Sequence, residues 1–226
     1  MPTTGARSST DLEKNAAAVA AAQVVEPGML VGLGTGSTVA FLLPALAERR
    51  LEIRCVATSP ATEAHARSLG LDVLPFDSSP GGMDRLDVAI DGADQVAPDL
   101  WLIKGGGGAH TREKVVATAA DRFVVIVSSE KIVDRLSAPI PLEILTYGAR
   151  ATLREVAGAT LRPGAELSPD GGLIADWYGE FDDPASLAAR FDSVAGVVGH
   201  GLFPPALVSD VFVGRGSSVD HLAVPR

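Results

Sequence analysis

The chain has 226 residues, 46% of them hydrophobic and 21% charged, with a formal net charge of -9. That length holds one large domain or two modest ones, and that composition excludes a disordered chain. The net charge excludes a general nucleic-acid or anionic-membrane surface, although lysines gathered in one place would still bind a small anion.

The single cysteine, Cys55, rules out an internal disulfide and predicts a reducing, cytoplasmic setting. It stands in an alternating apolar stretch and reads as core. No run of 18 apolar residues is present, and the first ten residues lack a signal-peptide core, so neither a membrane span nor secretion is expected.

Residues 1–9 read as a disordered tail. Thr10 and Glu13 have capping-box spacing and open an alanine-rich helix to about Val25, stopped by Pro27 and Gly28. A short apolar strand over residues 29–31 runs into GLGTGST, residues 32–38. A helix follows to about Arg50, with Val39, Leu42, Leu43 and Leu46 on one face. A glycine loop between a strand and a helix N-terminus offers N–H groups and a positive dipole end to an anion. A dinucleotide fingerprint fails, because Ser37 and Val39 stand where glycine is needed, and the ending of a Walker loop is absent. The hydroxyls of Thr35, Ser37 and Thr38, around Gly36, suit a terminal phosphate. A tight, hydroxyl-capped turn is the alternative.

Residues 51–57 alternate as a strand. Ser59-Pro60 caps a helix to about Ser68, ended by Gly70. Residues 71–74 read as a strand, 75–83 as a loop and 86–90 as a strand. Asp91 therefore falls just past a strand's C-terminal end, as the glycine loop does, and open α/β sheets bind ligands at that edge. The stretch DGADQVAPDLWLIKGGGGAHTREK begins there, at Asp91, Gly92, Ala93 and Asp94. It continues through Lys104, Gly105, Gly106, Gly107 and Gly108 into a helix from about Thr111 to Ala120, which carries Glu113. Four glycines would cost a regular element roughly 1 kcal/mol each, tolerable where backbone must approach a ligand. A flexible linker is the competing reading. His110 reads as a solvated loop residue. The apolar run 123–127 predicts a strand buried on both faces, with Lys131 soon after it on the ligand edge. Strands alternate with helices to this point, which predicts a mostly parallel, doubly wound sheet.

The pattern then changes. Strands at 140–145, 160–162, 173–177 and 196–199 and helices at 149–157 and 184–190 follow the split β-α-β-β-α-β order. This predicts a small α+β domain over 143–203, inserted into a larger domain of 11–142 plus 204–226. The apolar run 206–213 returns to the first sheet. No cysteine–histidine cluster has metal-ligand spacing, and no Gly-x-Ser-x-Gly elbow appears. What is left is phosphate binding with carboxylate acid–base chemistry, in which a lysine can stabilise an oxyanion. Taken without its neighbours, Glu113 reads as an exposed glutamate stabilising a helix N-terminus.

GLGTGST, DGAD and KGGGGAHTREK, in this order and at these separations, resemble the type A ribose-5-phosphate isomerase family. Glu26-Pro27-Gly28, Pro141-Leu142-Glu143 and GHGLF at residues 199–203 extend the likeness over most of residues 11–215. The resemblance implies an α/β fold, a Rossmann-like mostly parallel sheet domain with an inserted smaller ferredoxin-like α+β domain, assembled as a homodimer or homotetramer. It implies interconversion of D-ribose 5-phosphate and D-ribulose 5-phosphate through an enediol(ate), with no cofactor and no metal. Residues 35–38 match the family's phosphate loop, with Lys14 as a further phosphate contact. Asp91, Gly92, Ala93 and Asp94 match the loop whose aspartates contact the sugar and assist ring opening. Lys104, Gly105, Gly106 and Gly107 match its KGGG loop, Glu113 its proton acceptor, and Lys131 a substrate-binding lysine. Two features depart from the pattern: Gln95 replaces the glutamate usual after DGAD, and Gly108 adds a fourth glycine. A non-catalytic sugar-phosphate sensor domain is the alternative function. It usually accompanies a helix-turn-helix, for which the N-terminal segment has no room. A nucleotide-dependent oxidoreductase is disfavoured by the failed fingerprint.

Overall fold

The computed structural model describes residues 8–77 and 83–223. In chain order it contains α1 (Ser9–Ala22), β1 (Leu30–Leu33), α2 (Val39–Glu48), β2 (Arg54–Ala57), α3 (Pro60–Ser68), β3 (Asp72–Val73) and β4 (Val88–Asp91). Next come β5 (Gln95–Val96), β6 (Leu102–Ile103), α4 (His110–Ala119), β7 (Phe123–Ser128), β8 (Ile140–Ile144), α5 (Ala149–Glu155), β9 (Ala159–Leu161) and β10 (Leu173–Trp177). The chain closes with α6 (Pro184–Asp192), β11 (Val197–His200), β12 (Leu202–Phe203), β13 (Val208–Arg215) and β14 (Ser218–Ala223).

The large sheet has the order β14-β13-β7-β4-β1-β2-β3, and only the edge strand β14 runs antiparallel. β7 explains its continuous apolar run. Val124 and Ile126 pack on one face with Leu42, Leu43 and Leu46 of α2 and the alanines of α1. Val125 and Val127 pack on the other with Val116 and Ala117 of α4. A strand covered on both faces needs apolar side chains at every position.

The second sheet, β11-β8-β10-β9, is antiparallel throughout. With α5 and α6 it completes the β-α-β-β-α-β order. Its core is built on Leu142, Ile144, Trp177 and Phe191, the last two rings meeting edge-on at 5.6 Å. A third sheet, β12-β6-β5, was not expected. Its strands are two residues long, too short to carry a periodic signal. β14 was also unpredicted, because its exposed edge has no apolar alternation.

Three expectations about the first helix and its neighbours are corrected. The tail lies mostly outside the described residues, but Ser8 and Ser9 belong to α1 and its cap. Ser8, not Thr10, caps α1, its Oγ accepting from Asp11 N at 3.1 Å. Glu13 is drawn away from a capping box by longer-range partners. Its carboxylate accepts from Ser129 N and Oγ, both at 2.8 Å, and from Gly216 N at 3.2 Å. These bonds tie α1 to the segments after β7 and β13 and hold the Glu13 carboxyl below its ordinary pKa. Part of the loop expected at 75–83 falls outside the described residues.

Candidate active site

The loops after β1, β4 and β7 leave the same edge of the sheet, because those strands are parallel. Gly34 N donates to Ile90 O at 3.0 Å, stitching the first loop to β4. A Cβ at Gly34 would lie 1.9 Å from Asp91 Oδ1, so only glycine lets the loop pass over that carboxylate. Thr35 N donates to Asp91 Oδ1 at 3.1 Å. The Thr35 hydroxyl is engaged with that of Thr58 at 2.7 Å, and Thr62 Oγ1 donates to Gly34 O at 3.0 Å. Thr35 thus spends its polar groups on the shape of the loop. Gly36 and Ser37 are exposed, and Thr38 stands at the N-cap of α2 without a side-chain capping bond.

Asp91 is the last residue of β4 rather than the first beyond it. Its side chain, that of Lys104 and that of Glu113 are each at most 4% exposed. Lys104 Nζ lies 2.9 Å from Asp91 Oδ2 and 3.1 Å from Glu113 Oε2, and also donates to Gly92 O. Two carboxyls therefore compete for one buried ammonium. Burial opposes the charge on Lys104, but Asp91 and Glu113 outweigh it and hold the ammonium above its ordinary pKa. Burial also raises the Asp91 carboxyl, against Lys104 and the N–H groups of Gly92 and Thr35. Glu113 is pushed up to about 8, first by burial and then by the Asp91 charge, with Lys104 opposing both. The reading of Glu113 as an exposed helix glutamate is wrong: α4 turns it inward.

β6 pairs with β12, and Lys104 N donates to Gly201 O at 2.8 Å, which fixes where the lysine leaves the sheet. The glycine loop follows. Gly106 N donates to Asp94 Oδ2 at 2.8 Å. Gly105 takes φ +110°, and a Cβ there would meet His110 Nδ1 at 2.7 Å. So His110 is not a solvated loop residue. It opens α4, is fully buried beneath the glycine loop, and burial with the nearby Lys114 charge lowers its pKa to about 3. That imidazole is neutral at pH 7.

These groups line one cleft of about 120 Å³, with Asp91 buried beneath it. Residues 35–38, 92–94 and 104–107, with Glu113 and Lys131, all reach it, as does Lys14 from α1. A larger, mostly apolar cleft of about 750 Å³ beside Val115 and Val198 holds none of the carboxylate–lysine set. Gln95 is not in the cleft. Its amide exchanges two bonds with Ser137, Nε2 to Ser137 O at 2.8 Å and Ser137 N to Oε1 at 2.9 Å. A glutamate could only accept there. Arg162 escaped the sequence reading: from the small sheet it donates to the carbonyls of Gly105 and Gly106. No local signal marks a residue so far along the chain from the loop it touches. Among the described residues, no group of three His, Cys, Asp or Glu side chains is placed to hold a metal ion. No helix there is long and apolar enough to cross a membrane.

Fold and cleft together define an α/β protein with a glycine–hydroxyl loop at a helix N-terminus and a buried carboxylate–lysine set at the C-terminal edge of a parallel sheet. Residues 54–218 match the family model described as ribose 5-phosphate isomerase A (phosphoriboisomerase A). The ribose-5-phosphate isomerase A of Chloroflexus aurantiacus is 42% identical over 95% of this chain and 94% of its own length. The solved ribose 5-phosphate isomerase A of Methanocaldococcus jannaschii superposes with a TM-score of 0.86 at 33% identity, covering 95% of this chain and 99% of that one. A D-ribose-5-phosphate isomerase solved in complex with phospho-erythronic acid superposes at 0.88 with 32% identity and the same coverage. The chain belongs to the ribose 5-phosphate isomerase A family.

Proposed function

We propose that this chain interconverts D-ribose 5-phosphate and D-ribulose 5-phosphate through an enediolate, a step of the non-oxidative pentose phosphate pathway. The observation that carries this reading is Glu113, a buried carboxyl 3.1 Å from Lys104 Nζ in a cleft that also holds the anion-binding loop. The 5-phosphate sits on the N–H and hydroxyl groups of Gly36, Ser37 and Thr38 at the N-terminus of α2, with Lys14 and Lys131 supplying positive charge. Thr35 and Asp91 shape that loop and hold Lys104.

Ring opening needs a proton delivered to the ring oxygen and one removed from the C1 hydroxyl. Asp94, partly exposed in the cleft, is the carboxylate in reach. Glu113 then takes the proton from C2. The electron pair left behind forms the C1–C2 double bond, and negative charge passes to the C1 oxygen. Return of the proton from Glu113 to C1, with transfer of the C2 hydroxyl proton to the C1 oxygen, leaves a hydroxyl at C1 and the ketone at C2. Nothing is oxidised or reduced overall, so no cofactor is called for. Lys104 and the N–H groups of residues 105–107 stabilise the oxyanion from fixed positions. The phospho-erythronic acid bound by the family member supports this reading, since it joins a phosphate to a planar anionic carboxylate, as an enediolate intermediate would. That chemistry favours an isomerase over a non-catalytic sensor.

We divide the chain into residues 11–142 with 204–226 and an inserted unit of 143–203. The separate antiparallel sheet supports an inserted unit, and its first strand, β8, begins at Ile140 and so crosses the 142/143 boundary. A homodimer or homotetramer is favoured by apolar side chains left exposed on the small unit, among them Leu145, Tyr147, Leu167 and Tyr178. The buried free thiol of Cys55 favours a reducing, cytoplasmic setting. A coupled assay following ribulose 5-phosphate from ribose 5-phosphate tests the activity, and binding without turnover would return the sensor reading. Light scattering of the purified chain tests the assembly.

A further inference from the structure

Arg162 stands just beyond β9, in the small antiparallel sheet, and spans two elements. Its Nε and Nη2 form a fork on Asp176 of β10, at 2.8 and 2.6 Å, while Nη1 donates to Gly105 O at 3.1 Å and Gly106 O at 2.9 Å. Asp176 is 6% exposed. The fork is therefore anchored inside the small unit, and a bidentate guanidinium–carboxylate pair has one orientation.

The carbonyl of Gly105 and the N–H of Gly106 belong to one peptide group. Its oxygen accepts from Arg162, and its N–H donates to Asp94 Oδ2 at 2.8 Å. A cation and an anion thus hold the two ends of a single peptide plane. The next peptide is treated alike, its oxygen on Arg162, so the N–H of Gly107 is polarised beside the cleft. Gly105 O accepts from Gly108 N as well, at 3.0 Å, and the loop runs straight into α4, which carries Glu113.

We propose that Arg162 is a positioning residue for the isomerisation, holding the glycine-loop peptides so that their N–H groups meet Asp94 and the charge that develops on the substrate. The inference rests on the isomerase reading above. It gives the small unit a part in turnover, since its sheet supplies both halves of the clamp. The phosphate grip sits on another loop, so loss of the clamp weakens transition-state stabilisation more than substrate binding.

The test compares wild type with Arg162→Met, Arg162→Lys and Asp176→Asn, using ribose 5-phosphate turnover, circular dichroism and thermal unfolding. Arg162→Met is expected to lower kcat roughly 10- to 100-fold, as misplaced groups do, with KM changed less than about threefold. Arg162→Lys keeps the charge without the fork and should recover part of that loss. Asp176→Asn keeps the shape of the acceptor without its full charge and should fall between wild type and Arg162→Met. If Arg162→Met does not fold, the kcat-against-KM split is read on the other two variants. Unchanged kcat in a folded Arg162→Met protein, or losses in KM alone, would overturn the inference and leave the isomerase reading intact. An inactive wild type would remove both.

Discussion

Lys104 Nζ lies 3.1 Å from Glu113 Oε2 where neither side chain is more than 4% exposed. The pair is a poor source of stability. Withdrawing two charges from water costs about what their attraction returns. Its value lies in chemistry: burial first, and then the charge of Asp91, which shares the same ammonium, raise the proton affinity of Glu113.

Glu113→Gln keeps the size and much of the hydrogen bonding of the side chain and removes the base. General-base loss costs on the order of 10²–10⁴ in rate. Turnover of ribose 5-phosphate is expected to fall by that factor while KM changes little. Near-normal turnover of a folded mutant would pass the role to Asp94.

The pH profile follows from burial. Glu113 must be a carboxylate to accept the C2 proton, and it is held protonated toward about 8 instead of the ordinary 4.5. Its raised pKa means that kcat/KM should rise with pH along a limb well above the usual glutamate range, since this parameter reports the free enzyme. Asp91→Asn removes a neighbouring charge and leaves Lys104 to Glu113 alone, so the limb should move to lower pH even as activity drops. A wild-type limb centred below pH 5 would contradict the assignment.

The Thr38 hydroxyl makes no capping bond to α2, so Thr38→Val should leave thermal stability nearly unchanged. A hydrogen bond to a charged group contributes about 1.5–3 kcal/mol, so binding of ribose 5-phosphate should weaken roughly ten- to a hundredfold. Unphosphorylated ribose serves as the control. Equal weakening of both sugars would show that the loop does not hold the phosphate.

Gly34→Ala places a methyl where Asp91 Oδ1 and Cγ now stand, each 1.9 Å from the added carbon. Asp91 must move, and Lys104 with it. We expect kcat/KM to fall roughly 100-fold, as a displacement of about 1 Å can produce. Wild-type rates in this variant would mean that the position of Asp91 is immaterial to turnover.

Much of this protein was legible from local pattern. The apolar run at 123–127 announced a strand buried on both faces, and β7 is one, because an unbroken apolar stretch of that length bounded by turns has few other places to go. Ser59-Pro60 marked a helix start, since capping depends only on residues a few positions apart, and the cap forms. GLGTGST and DGAD declared their positions at strand ends for the same reason. Burial and partnership of polar residues were decided elsewhere. His110 looked like a surface position, and Glu113 did when taken without its neighbours, until α4 was laid against the sheet with both turned inward. Glu13 had the spacing of a cap, but its carboxylate meets Ser129 only because α1 packs beside β7. Gln95 looked like a change in the charge of the site until its amide was seen bonded to Ser137. Arg162 had no signal at all. Its hold on the glycine loop exists because two sheets far apart in the chain are packed together, and no periodicity along a sequence encodes which surfaces will meet.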